Sequence, residues 1–282
     1  MTVNHNQRER AERFQELHQS GCFVLPNPWD AGSAVYLEEL GFKAIASTSA
    51  GFAYSRALPD SPQKVPVTVV FDHLSELVAA TSIPVNADFQ NGFADGANDV
   101  ARNVMRCVET GVAGLSIEDS TGNDNEPFYS LELAVERIKA ARAAIDAANV
   151  PVVLTARCEA YLVGTEDKLN FALERLTAFA EAGADCLYAP GIRDLAGIEA
   201  IVKAVAPKPV NVLVSSPHPN LTLARLAELG VRRISVGSAL FNVAWDAFIR
   251  SARSIAETGA FDGLKKDPSF PNLNDLFEKR LK

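Results

Sequence analysis

The sequence predicts a single (β/α)8 barrel, an α/β fold in which eight parallel strands alternate with helices. Three observations carry that expectation. Eight short runs rich in β-branched and other apolar residues alternate with amphipathic stretches. In the middle of the chain the pattern recurs at roughly 30 residues, the length of one βαβ unit. No Gly-x-Gly-x-x-Gly follows the first run, and no glycine loop ending in Lys-Ser or Lys-Thr occurs, so the signatures of nucleotide-binding open sheets are missing. A chain of 282 residues is long for one domain but usual for a closed barrel with its helices.

The elements follow in order. Residues 1–20 form a polar N-terminal helix, 21–240 the barrel and 241–282 the C-terminal helices of one barrel domain. The strands are CFVLPN (22–27), KAIAST (43–48), IPVNADF (83–89), GLSIEDS (114–120), VVLTARC (152–158), DCLYAPG (185–191), PVNVLVS (209–215) and RRISVGS (232–238). Helical segments between them close on glycine at Gly41, Gly111, Gly183 and Gly230, where a left-handed residue ends a helix at least cost. The final stretch FNVAWDAFIRSARSIAETGAFDGL carries an apolar stripe of Phe241, Trp245, Phe248, Ile249 and Ile255.

Side chains alternate across a strand, and the outer face of a barrel strand packs on helices. Val85, Ala87 and Phe89 are apolar, so Asn86 and Asp88 point inward. By the same rule Ser116 and Glu118, Thr155 and Arg157, and Asn211 face the interior. One parity rule thus gathers an amide, two carboxylates and a guanidinium late in their strands, at the end where barrel enzymes hold their sites. Buried charge is costly unless paired or bound to metal, and one Arg cannot answer both carboxylates. Oxygen ligands without His or Cys suit a hard cation, Mg2+ first and Mn2+ second. Asp119 and Glu159 are expected behind this site, as partners facing the helices. His73 reads as a surface residue on a helix, and His218, in SSPHPN (215–220), as a substrate contact reaching the barrel mouth. Arg102, Arg106 and Glu109 read as a solvated helix face.

Composition bounds the rest. The formal net charge is −8 and the basic residues are scattered, which argues against a nucleic-acid surface. No apolar run is long enough to span a bilayer, and the polar N-terminus lacks a signal peptide's apolar core, so no membrane partner and a cytoplasmic location are expected. Cys22, Cys107, Cys158 and Cys186 show no metal-binding spacing, and three of the four sit in apolar surroundings, where Cys packs as a small hydrophobe.

These same motifs resemble the isocitrate lyase / phosphoenolpyruvate mutase superfamily, in its phosphonomutase-like branch. VNADFQNGF (85–93) is similar to the signature Val-Asp-x-Asp-Thr-Gly-Phe/Tyr-Gly, LSIED (115–119) to (His/Ser)-Ile-Glu-Asp, and TARCEA (155–160) to Ala-Arg-Thr-Asp-Ala. FKAIASTSAG (42–51) with Leu58-Pro59-Asp60 resembles Ser-Gly-Ala-Gly followed by Pro-Asp, and NPWDA (27–31) fits the first strand end. The resemblance implies a (β/α)8 barrel, Mg2+, a small carboxylate substrate, and a homo-oligomer (a tetramer or dimer of dimers) exchanging its C-terminal helices. It implies Mg2+ on Asp88 and Glu118, with Asn86 beside them, and Arg157 on the substrate's carboxylate or oxyanion. Backbone N–H groups of Thr48, Ser49 and Ala50 and the side chain of Asn211 would meet substrate, and Asp60 would ride a gating segment. Two departures stand out. The first metal-side Asp of the signature is Asn86, and the loop that carries Lys and Cys in the lyases reads STGNDNEPF (120–128), with neither. The expected chemistry is therefore Mg2+-dependent C–C cleavage of a 2-oxo or 2-hydroxy dicarboxylate through a pyruvate-type enolate, by oxaloacetate-like decarboxylation or retro-aldol cleavage, with decarboxylation suited to a loop lacking Cys. Phosphorus–carbon bond chemistry is the alternative within the superfamily, and a non-catalytic carboxylate-binding barrel the alternative outside it.

Overall fold

The computed structural model describes residues 5–279, and the chain divides after Ser238 into two compact units. The first holds all eight strands: β1 (Phe23–Leu25), β2 (Ile45–Ala46), β3 (Val85–Asp88), β4 (Gly114–Glu118), β5 (Val153–Arg157), β6 (Cys186–Tyr188), β7 (Val210–Leu213) and β8 (Arg233–Ser235). Each falls inside its expected run. All neighbours pair in parallel, in the order β1-β8-β7-β6-β5-β4-β3-β2. The remaining seam, between β1 and β2, is tied by Ala46 N–H to the Pro26 carbonyl (3.0 Å) and by the Asn27 amide to the Ser47 carbonyl (2.8 Å). The Asn27 side-chain oxygen also accepts from Val236 N–H and Gly237 N–H, so one amide knits three strand ends. The result is a nearly closed (β/α)8 barrel.

The N-terminal helix α1 (His5–Gln19) belongs to the opposite end of this cylinder. Gln7 donates to the Val108 and Val112 carbonyls, and Arg10 to those of Val78 and Thr81, groups that precede β3 and β4. Phe14 is fully buried beneath the strands. A Cβ added at Gly114 would lie 2.6 Å from both the Phe14 ring and the Asn86 amide oxygen, so this first residue of β4 must be glycine for the floor to close.

Helices α2 (Ala31–Glu39), α3 (Ser49–Ser55) and α4 (Val67–Ala80) precede β3. Then α5 (Ala97–Glu109), α6 (Leu131–Ala147), α7 (Lys168–Glu181), α8 (Leu195–Val205) and α9 (Leu223–Glu228) each join consecutive strands. Six of these helices are capped by a side chain at their start: Asp30, Thr48, Ser130, Asp167, Asp194 and Thr222 each accept from a backbone N–H three residues on. The apolar outer faces of the strands and the inner faces of the helices form one continuous buried cluster. Cys107, Cys158 and Cys186 are buried and unpaired, as packing residues should be.

His73 departs from expectation. It lies on the inner face of α4, 4% exposed, stacked on Phe52 at 4.1 Å between ring centroids. The helix period puts it one turn from Val70 and Leu77, and the apolar stripe overrides the polarity of one residue. Arg106 is exposed as expected, yet its guanidinium lies 4.5 Å from the Phe71 ring centroid.

The second unit contains α10 (Ala239–Thr258), a 3-10 turn (Asp262–Leu264) and α11 (Leu273–Glu278). Ser251 holds the turn to α10 by donating to the Gly263 carbonyl. Among the described residues no helix is long and apolar enough to cross a membrane.

Burial lowers the His73 pKa to about 4. Below about pH 6.5 the unfolded chain therefore binds a proton that the folded chain refuses until about pH 4. Stability must fall through that window as pH drops. Relative to His73→Phe, which keeps the ring stack, the wild type is expected to lose on the order of 1–3 kcal/mol between pH 6.5 and 4, read by urea unfolding at each pH.

Candidate active site

At the C-terminal ends of the strands lies a cavity of about 170 Å³. Asn86 and Asp88 from β3, Ser116 from β4, Arg157 from β5 and Asn211 from β7 line it, as alternation predicts. Thr48, Ser49 and Ala50, at the start of α3, and Asp60, on the following segment, complete one wall.

Arg157 organises the rim. Its Nη1 lies 2.6 Å from Asp88, its Nη2 3.0 Å from Glu118 and its Nε 2.9 Å from Glu159. A guanidinium presents its donors in a fixed planar fork, so three carboxylates from three strand ends are locked in one geometry. Burial opposes charge on Arg157, but Glu159, Glu118 and Asp88 outweigh it and hold the group firmly cationic. The carboxylates gain less from the arrangement. Burial pushes Glu118 well above the usual carboxylate range, against the pull of Arg157, and Glu159 and Asp88 add to the rise. Glu159 is raised by the same cause. Asp60 is raised by burial and by Asp88, while accepting from Gln90 (2.7 Å). Four carboxylates thus crowd one cation.

Glu159 was expected behind the site and instead joins Arg157. It stands two residues beyond Arg157, and alternation gives both the same side. Asp119 does face the helices: it accepts from Glu159 N–H (2.9 Å) and from Arg175 of α7 (3.1 Å), bracing the ends of β4 and β5. Asp88 also accepts from the Ser49 N–H at 3.0 Å, while Thr48 caps the Gly51 N–H. The Asn86 amide donates to the Ala87 carbonyl, and its oxygen, beside Gly114, finds no hydrogen-bond partner among the described residues. Glu118 stands behind Arg157, outside the cavity lining. His218 also lies outside the lining, its ring accepting from Asn220 N–H in its own loop.

Several cavity residues escaped the sequence reading. Arg233 and Ser235 of β8 point inward because Ile234 points out, a parity signal identical to those used on four other strands. Tyr188 faces inward beside Leu187, and burial lifts its phenol to about 12, so it stays protonated. Gln90 sits at φ 43°, a left-handed backbone that turns its amide onto Asp60.

The sequence matches the family model for phosphoenolpyruvate phosphomutase over residues 14–256, and the chain belongs to that family, within the isocitrate lyase / phosphoenolpyruvate mutase superfamily. Among curated relatives, 2-methylisocitrate lyase of Escherichia coli K12 is 31% identical over 264 residues, covering 88% of this chain and 84% of its own. Oxaloacetate decarboxylase of Pseudomonas aeruginosa PAO1 is 29% identical over 267 residues, covering 90% and 89%. Among solved structures, a Burkholderia cenocepacia J2315 protein assigned no further than lyase/mutase superposes with a TM-score of 0.91 at 43% identity, over 99% of this chain and 98% of that one. Phosphonopyruvate hydrolase in complex with oxalate and Mg2+ gives 0.82 at 25% identity, over 96% and 94%.

Replacing Arg157 with Met leaves three buried carboxylates without their cation. The variant is expected to be less stable by roughly 3–5 kcal/mol near pH 7. The deficit should shrink as pH falls toward 5, because carboxylates whose pKa values burial has raised are the first to take up protons; thermal unfolding across that range reads it.

Proposed function

We propose that this protein is a Mg2+-dependent lyase that breaks a C–C bond in a small 2-oxo dicarboxylate, most simply by decarboxylation of an oxaloacetate-like acid. The observation carrying this reading is the acidic surplus at the rim: Asp60, Asp88, Glu118 and Glu159 share one Arg157. A site so charged repels an anionic substrate unless a cation stands between them. Among the described residues no group of three His, Cys, Asp or Glu side chains is arranged to hold a metal. Two carboxylates with water and substrate oxygens in the remaining positions suit Mg2+, which sheds its water reluctantly. Asp88 would hold it at the cavity wall and Glu118, behind Arg157, through water, and its presence would offset the cost of ionising Glu118. Bound there, Mg2+ would supply positive charge to the oxygen on the substrate's second carbon.

The chain's own groups do the rest. Arg157 keeps the carboxylates aligned and adds positive charge beside the developing oxyanion, commonly the largest catalytic contribution. In decarboxylation the bond between the third and fourth carbons breaks. Its electron pair moves between the second and third carbons, the oxygen on the second carbon takes the charge, and CO2 leaves. The third carbon then takes a proton, and Asp60, held toward its acid form by burial and by Asp88, is the cavity group suited to give it. No hydroxyl needs deprotonation on this route, so the absence of Lys and Cys from residues 120–128 is no obstacle. The small cavity supports a short acid: drug-sized pockets run to about 300–1,000 Å³. Phosphorus–carbon cleavage is the second reading, favoured by the family match and by the likeness to phosphonopyruvate hydrolase.

The test is turnover of oxaloacetate, 2-methylmalate-type acids and phosphonopyruvate, with and without Mg2+. Oxaloacetate is expected to react, chelation to abolish the reaction, and Asp88→Ala to lower kcat by on the order of 10²–10³. Turnover indifferent to both chelation and Asp88→Ala would remove the proposal.

We also propose self-association through the second unit. Val243, Phe248, Ile249, Phe261, Leu264 and Phe270 are exposed there, more large apolar surface than so short a segment normally leaves in water. Sedimentation at micromolar concentration should show dimers or tetramers, and a monomer alone would contradict this.

A further inference from the structure

The cavity has a second guanidinium, and its surroundings are the reverse of those at the rim. Arg233 opens β8 while Arg157 closes β5, so the two approach the cavity from opposite ends of their strands. Arg233 is 2% exposed. Its Nε donates to the Asn211 side-chain oxygen at 2.9 Å and its Nη2 to the Thr155 hydroxyl at 3.0 Å. Its Nη1 lies 3.2 Å from Nε2 of His18. That ring is neutral by geometry: Nδ1 lies 2.7 Å from the Phe14 carbonyl, which only accepts, so the proton sits on Nδ1 and Nε2 accepts from Arg233. Burial and the nearby Arg233 charge lower the His18 pKa to about 3, in keeping with that assignment.

Every hydrogen-bond partner of Arg233 among the described residues is therefore neutral. A guanidinium carries five N–H groups, and three are answered. Arg157 and Arg175, by contrast, each pair with carboxylate. A buried cation without an anion is costly, and the cost is recovered when an anion arrives. The acids at the rim already occupy Arg157, which leaves Arg233 as the cavity's uncommitted positive charge. The protonated Tyr188 phenol lines the same space. Thr155 of β5 and Asn211 of β7 hold the guanidinium plane from two different strands, so the fork is fixed before any ligand binds.

We infer that Arg233 is the specificity-determining residue for a second acidic group of the substrate, so that this cavity takes small diacids, one carboxylate at the rim and the other at the floor. The inference rests on the cavity being the substrate site proposed above, and it adds what the rim alone does not give: a reason for a diacid over a monoacid. At about 170 Å³ the space suits a chain of only a few carbons between the two groups.

Calorimetric binding with the full chain at fixed Mg2+ tests this, using oxalate, malonate and succinate and the monomethyl ester of each. At least one diacid should bind the wild type on the order of 10- to 100-fold tighter than its ester. Arg233→Met, with an unchanged circular-dichroism spectrum, should erase that preference, and Arg233→Lys should restore part of it. A wild type that prefers no diacid to its ester overturns the inference without any variant, as does a preference that survives in Arg233→Met. The outcome separates from the lyase reading. Diacid binding through Arg233 without turnover of any candidate refutes the lyase and leaves the diacid site. Turnover of oxaloacetate in which Arg233→Met changes kcat and leaves KM untouched refutes the diacid site and leaves the lyase.

Discussion

The contact of Arg157 with Asp88, Glu118 and Glu159 is the interaction on which the rest of the site depends. It joins the ends of β3, β4 and β5, which the barrel sets side by side, and fixes their acids within a few ångströms of one another. Such a cluster is poorly balanced by itself, because desolvation costs Glu118 and Glu159 more than a shared guanidinium returns. Stability alone would favour a simpler arrangement. Behind it, Asp119 with Arg175, and Asn91 with Tyr129 and Asp95, brace the loops that keep the acids together. Imbalance maintained at such structural cost is characteristic of a site waiting for a charged ligand.

The barrel explains why this imbalance can persist. Its opposite end is covered by α1, with Phe14 and His18 filling the space below the strands. Asn27 ties the seam between β1 and β2 while standing in the cavity wall. Architecture and site are thus built from some of the same residues. Two guanidiniums then divide the interior: Arg157 is neutralised by protein acids at the rim, and Arg233 is surrounded by neutral acceptors at the floor.

Most of this was legible in the sequence, for a simple reason. A parallel strand covered by helices needs an apolar outer face, so a polar residue between two apolar ones must point inward. That rule placed Asn86, Asp88, Ser116, Arg157 and Asn211 in the cavity wall, where they stand. Applied to Arg233-Ile234-Ser235 it would have found the second guanidinium as well. It also covers Glu159, which lies just past β5 and two residues beyond Arg157, so the same alternation sets its carboxylate beside the guanidinium. His73 was misread because polarity was weighed above helical period. Asp60 and Gln90 meet through a left-handed backbone angle that composition does not announce. The loop holding His218 folds on its own hydrogen bonds, and no periodicity fixes where a loop points.

The central claim is that the acids gathered by Arg157 form a site for one divalent cation. Mn2+, a hard cation that can stand in for Mg2+ and is visible by electron paramagnetic resonance, tests it directly. Titration of the full chain should show one bound Mn2+ per chain, displaced by Mg2+ and lost in Asp88→Asn. No bound Mn2+ at millimolar metal, or binding undiminished in Asp88→Asn, would contradict the account.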